Sequence, residues 1–167
     1  MRYAMIVVLM TLTCLDLSPA RAELVSQQES LRGLQEVALL IEQVKPDAQA
    51  DGLSEEAIRT AVELILRSSG IRVHIQSEQI QTPVTAMLYV VVDTFKNPSG
   101  LYAFNVGVRL YQKVSLMPQP QHTVAAATWF APGMVGTVGH KAIRGLVEEV
   151  ESNVKKFAND FLRVNPR

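Results

Sequence analysis

Three groups of residues have types and spacings that bear on chemistry. The first is the glycine series Gly133, Gly136 and Gly139, which stands just before a helical pattern. The N–H groups of such a loop, together with a helix N-terminus, can hold an anion. The spacing is not G-x-G-x-x-G and no Gly-Lys-Ser/Thr follows, so neither the dinucleotide nor the P-loop signature is met. The series reads as a flexible crossover that lets a last helix fold back on a sheet, and its functional alternative is contact with a partner. The second group is His74, His122 and His140. A helical metal site places two histidines at i and i+4. These three fall on a strand, a loop and a helix start, so no metal site is expected. The third is Asp93 with Arg109, expected as an ion pair across a hairpin rather than as acid–base machinery, which would need two acids on facing elements. No Gly-x-Ser-x-Gly elbow occurs. The expectation is therefore no catalytic residue and no cofactor.

The elements that would position these residues follow from periodicity. Residues 34–44 carry Leu34, Val37, Leu39, Leu40, Ile41 and Val44 and read as a strand, with helix as the competing template. Ser54 is a good N-cap, Glu55 and Glu56 suit a first turn, and Ala57, Ile58, Ala61, Val62, Ile65 and Leu66 form one apolar stripe ending near Gly70. Alternation then marks strands over 71–76, 84–95, 102–110, open to extension as far as Leu116, and 123–130. Residues 141–163 predict a long helix, with a stripe of Ile143, Leu146, Val147, Val150, Val154, Phe157, Ala158, Phe161 and Leu162. Glu148, Glu149, Glu151, Lys155, Lys156 and Asp160 would cover its other side. The order β-α-β-β-β-β-α predicts an α+β domain over 34–167. Its sheet is antiparallel, of about five strands, with two helices on one face.

One strand complicates that layering. In residues 84–95 Val84, Ala86, Leu88, Val90 and Val92 share one face, while Met87, Tyr89 and Val91 make the other face apolar too. Helices cover one face of a single sheet, so Met87, Tyr89 and Val91 need another cover and are candidate contact residues. Trp129 stands at a strand end beside the glycine series and is a candidate ligand or partner contact. The other aromatics, Tyr102, Phe104, Tyr111 and Phe130, read as core or cross-strand packing.

The N-terminus addresses the location. Arg2, an apolar run from Ala4 to Leu12, and Ala20-Arg21-Ala22 read as a signal peptide over 1–22, too short for a membrane span. Cleavage after Ala22 leaves 145 residues with 14 basic and 15 acidic side chains. That balance gives no general field to draw in nucleic acid. Residues 23–33 are polar and aperiodic and read as a flexible lead-in. The one cysteine, Cys14, leaves with the leader. The weaker alternative is lipidation at Cys14, since Thr11-Leu12-Thr13 match a lipoprotein signal poorly. The expected location is the periplasm or the exterior, with no transmembrane span in the mature protein.

The segments Gly-Leu-Ser-Glu-Glu-Ala-Ile-Arg59, Leu-Arg-Ser-Ser-Gly-Ile-Arg-Val73, Thr128-Trp129 and Phe-Ala-Asn-Asp-Phe-Leu-Arg-Val-Asn-Pro166 together resemble a family of small exported bacterial proteins. That resemblance brings no activity. Residues 34–77 also resemble the strand–helix–strand modules at the N-termini of TolB-like and CsgG-like periplasmic proteins. Such modules serve protein–protein assembly in the cell envelope. The expected function is a non-enzymatic envelope domain that binds another envelope protein or a second copy as a homodimer. The alternatives are a module for a small apolar or amphipathic ligand near Trp129 and an enzyme of unfamiliar type.

Overall fold

A computed structural model of the protein describes residues 26–75 and 86–166. The leader at 1–22 with Cys14, and the parts of the expected strands at residues 76, 84 and 85, lie outside the described residues.

Ser54 caps a helix as its sequence requires. Its hydroxyl accepts from the Ala57 N–H at 3.2 Å, Glu55 and Glu56 fill the first turn, and Gly70 supplies the left-handed residue after the end, at φ 85°. This is α2, Glu55–Ser68. It follows strand β1, Glu36–Ile41, and a one-turn helix α1, Pro46–Ala50, and leads into strand β2, Arg72–Ile75. Three further strands run in sequence: β3, Ala86–Lys96; β4, Leu101–Leu116; and β5, Gln119–Phe130. A sixth, β6, covers Met134–Gly139. A 3-10 turn over His140–Gly145 then opens α3, Leu146–Val164.

The α+β class holds, and the sheet differs from the antiparallel one expected. It has six strands, in the order β2-β1-β3-β4-β5 with β6 also on β4. β1 runs parallel to both β2 and β3, and only β3, β4, β5 and β6 form antiparallel pairs. The parallel β1–β2 pair follows from their connection. A helical crossover returns the chain to the same end of the sheet, as a hairpin cannot. β1 then separates β2 from β3, so those consecutive strands never pair.

The glycine series is the second difference. It is a strand rather than a crossover loop. β5 and β6 follow one line along the outer side of β4, interrupted at Ala131-Pro132-Gly133, where proline has no N–H to give a ladder. Gly136 stands opposite Phe104, and a Cβ there would meet the ring at 2.9 Å. The absent side chain makes room for that aromatic.

α2 and α3 pack on each other and on one face of the sheet. Ile58, Val62 and Leu66 from α2 and Val150, Val154, Phe157 and Phe161 from α3 meet Leu39, Leu88, Val90, Val108 and Leu110. Each such side chain stabilises the fold by about 1.5–3 kcal/mol through its removal from water. β4 outruns this core. It pairs with β3 only as far as Gln112, and from Lys113 to Leu116 its described partner is β5 alone. Leu116, Met117 and Val124 on this two-stranded arm are exposed.

The segment expected as a flexible lead-in makes long-range bonds. Residues Glu29–Leu31 form a 3-10 turn, and Leu31 is fully buried in the core. Gln28 donates to Asp160 at 3.0 Å, and Asn165 clasps the turn from the far end of α3, accepting from the Gly33 N–H at 2.7 Å and donating to the Leu31 carbonyl at 2.9 Å. We expect Leu31→Ala to destabilise the domain by about 2–4 kcal/mol, through lost burial plus a cavity. Urea unfolding followed by fluorescence of Trp129, the chain's one tryptophan, measures it.

Candidate functional site

The site is the face of the sheet opposite the helices, and the strand register builds it. On β3, Ala86, Leu88, Val90, Val92 and Thr94 point into the helix-covered core, which sends Met87, Tyr89, Val91, Asp93 and Phe95 to the other side. In register beside them stand Ala38 and Leu40 of β1, and Tyr111, Arg109, Gly107, Asn105 and Ala103 of β4. Beyond β4 the face continues through Ala127 and Phe130 of β5 and Val135 of β6. Met87, Tyr89, Val91, Leu40 and Tyr111 are half-buried, and Ala38 beside them is 2 % exposed. Phe95 is 69 % exposed and Val135 79 %. The second apolar face read from the sequence therefore exists, with Met87, Tyr89 and Val91 along its centre. No described residue lies over it as a second layer.

Its internal contacts are short and lateral. Tyr89 and Tyr111 meet edge to face at 6.2 Å, and the Tyr89 hydroxyl donates to the Glu42 carboxylate. Gly107 leaves a dip beside Val91, whose methyl lies 3.1 Å from where a Cβ would stand. Asp93 does not pair with Arg109. The register sets Asp93 opposite Asn105, and Lys45 binds its carboxylate at 2.9 Å. That hydrogen bond, with the nearby positive charge, holds the Asp93 pKa below its usual range against a weaker upward push from burial. Arg109 stands opposite Tyr89 and Phe130 and makes no ion pair among the described residues.

Trp129 is not on this face. It lies opposite Leu110 on the core side, is 1 % exposed, and sits edge to face on Phe157 at 5.0 Å. A pocket lined by Gln28, Trp129, Phe130, Pro132, Lys156 and Asp160 opens beside that ring pair, between the end of β5 and α3. The indole Nε1–H donates to Asp160 at 3.1 Å, and Lys156 donates to the same carboxylate at 2.9 Å. Asp160 had read as a solvent-side residue, and the structure buries it at 4 % exposure. The signal for this was its place among Phe157, Phe161 and Val164, inside the stripe rather than opposite it. Burial pushes its pKa up, but hydrogen bonds from Lys156 and Trp129, with the charges of Lys156 and Arg163, outweigh it, and the carboxyl titrates below the ordinary range. A carboxylate lowered by folding contributes stability above its unfolded pKa of about 3.9 and loses it as pH falls through the folded value. We expect Asp160→Asn to be less stable by about 1–2 kcal/mol at pH 7. Parallel urea titrations at neutral and acid pH should show the deficit shrinking below about pH 4.

A carboxylate, an ammonium and a phenol also converge where the sequence gave no warning. Asp51 accepts from Lys96 at 2.5 Å and from Tyr102 at 2.7 Å, and Lys96 lies 5.3 Å from the centre of the Tyr102 ring. The Lys96 bond first and the Tyr102 bond second lower the Asp51 pKa, and the Asp51 bond raises that of Lys96. Burial, then the bond to Asp51, raises Tyr102. All three move away from neutrality, the reverse of what a general acid or base at pH 7 needs. The cluster ties the turn after α1 to the β3–β4 hairpin. His74, His122 and His140 stand on β2, β5 and the 3-10 turn after β6 and do not converge. Among the described residues no three His, Cys, Asp or Glu side chains are grouped to hold a metal ion, and no helix is long and apolar enough to cross a membrane.

Of the glycines, Gly133 and Gly139 meet little where a Cβ would go, the nearest atom to Gly133 being Asn105 Oδ1 at 3.9 Å. Gly136 alone of the series faces a close ring. Gly136→Ala should cost about 1–3 kcal/mol by forcing Phe104 aside, while Gly139→Ala should leave the urea midpoint nearly unchanged.

No protein-family model matches the chain, and no curated protein matches it in sequence. Among solved structures it is similar to two of the PelC dodecamer from Paraburkholderia phytofirmans. The first shows 19 % identity over 78 % of this chain and 88 % of that one, with a TM-score of 0.41. The second shows 16 % identity over 75 % and 87 %, with a TM-score of 0.40. A minor lipoprotein from Acinetobacter baumannii is similar at 7 % identity over 78 % of this chain and 91 % of that one, with a TM-score of 0.30. These are likenesses of outline, and the dodecameric assembly is PelC's own.

Proposed function

We propose that this chain is a non-catalytic protein-interaction domain of the cell envelope, and that the open face of its sheet is the contact surface. One observation carries the reading. The central strand β3 presents Met87, Tyr89 and Val91 to a side that no described element covers, in continuity with Phe95, Phe130 and Val135. Apolar patches of this kind on folded domains mark contact surfaces. The envelope location rests on the leader read at residues 1–22, with cleavage near Ala22. The absence of a catalytic role is supported by the ionisable groups. Asp51, Asp93 and Asp160 are held ionised by cationic neighbours, so none is poised to exchange a proton near neutral pH.

A photo-crosslinking side chain placed at Val91, and separately at exposed Leu64 on the outer side of α2, tests this in cells that export the full chain. The Val91 site should give one discrete protein adduct on irradiation and the Leu64 site none. Equal labelling from the two sites, or no adduct from Val91, would remove the basis for the reading.

A further inference from the structure

We infer that the occupant of the open face is a different protein, one that presents carboxylates to Arg109 and Lys113, about 13 Å apart, with an apolar side chain between them. The inference rests on the reading of that face as a contact surface and adds the partner's chemistry. Arg109 stands inside the apolar surface rather than at its rim. Its row across the sheet is Leu40, Tyr89, Arg109 and Phe130. The next row is Ala38, Met87, Tyr111 and Ala127, and Lys113 follows one row further on, opposite Ala125. Any surface that covers Tyr89 and Phe130 therefore covers the Arg109 guanidinium as well. A guanidinium taken out of water without an acceptor opposes binding strongly. One met by a carboxylate through paired N–H bonds favours it.

The described part of the chain supplies no such acceptor. Arg109 and Lys113 are exposed and make no ion pair among the described residues. The acids on the same face are engaged elsewhere. Lys45 binds Asp93 at 2.9 Å, and Glu36 lies 3.4 Å from Arg72 and 3.2 Å from His74. Glu42 takes the Tyr89 hydroxyl from the β1 side of β3. Between Asp93 and Glu148 the sequence contains no acidic residue, so β4, β5 and β6 bring none. A wholly apolar partner would strand both cations. A second copy docked face to face would bring only the acids just named, each already bonded. An anionic lipid surface would lay its headgroups over Glu36, Glu42 and Asp93 as well as over the two cations. A protein can set carboxylates opposite Arg109 and Lys113 alone and meet the rest of the face with apolar and polar groups. The required spacing is four residues along a strand or about nine along a helix.

The Val91 crosslinker, in cells that export the full chain, tests the inference. Arg109→Glu should lower the yield of the Val91 adduct by about tenfold or more, and Lys113→Glu should lower it as well. Arg144→Glu makes the same charge change in the groove between the starts of α2 and α3, on the helix side of the domain, and should leave the yield unchanged. All three side chains are exposed, so the urea midpoints of the variants should match the parent's. Fragmentation of the adduct identifies the partner segment, and changing its Asp or Glu to Lys should restore the adduct of Arg109→Glu. An adduct undiminished by either reversal, a partner segment with no acid whose change restores it, or an adduct to a second copy of the chain overturns the inference and leaves the contact surface standing. A parent chain with no Val91 adduct removes both.

Discussion

The longest strand, β4, is hydrogen-bonded along both of its edges, and most of the architecture follows from that. One edge carries β3 over eleven paired positions, from Lys96 with Tyr102 to Ala86 with Gln112. The other carries β6 along its first part and β5 along the rest. Because β5 and β6 share one edge, the break between them must fall where proline and glycine can leave the ladder, at Pro132-Gly133. Alternation along β4 sends Val106, Val108 and Leu110 to the helices, and Gly107 and Arg109 to the open side. The two faces of the domain are thus set by one strand's pleat, and a shift of one residue would exchange them.

The parts of this fold with local signatures were legible in the sequence. α2 has a cap, a stripe and a terminal glycine, and each is used as its chemistry suggests. The second apolar face of β3 was legible because strict alternation leaves no other place for Met87, Tyr89 and Val91. What escaped was non-local. Whether β1 runs with or against its neighbours depends on which strands adjoin it, and no residue in 34–44 encodes that. The glycine series misled for a different reason. Glycine usually signals a loop, but Gly136 is there for the Phe104 ring across the ladder, a contact between residues 32 apart.

The candidate site shows the same division. Its centre could be named from β3 alone. Its width could not, since Leu40, Phe130 and Val135 join it only through strand order. Trp129 was misplaced because its strand also alternates, and the side it takes depends on the irregular step between Leu110 and Tyr111 in the β4–β5 register. Asp160 looked like a surface charge because helix charges usually are. Its burial is tolerable because three donors reach it, from Gln28, Trp129 and Lys156.

The clasp between the two ends of the described chain bears on the order of events in folding. Leu31 and Gly33 bond to Asn165, and Gln28 bonds to Asp160, each across more than 130 residues of sequence. Gln27 and Ser30 satisfy the outward backbone groups of Phe130 and Thr128 at the rim of β5. Contacts of such separation form late, after the loop entropy between them has been met by the rest of the core. During synthesis the first of these segments must therefore wait for the last. Until α3 is complete, Thr128 and Phe130 lack these partners, and the closing of the domain and the capping of that end of β5 are a single event.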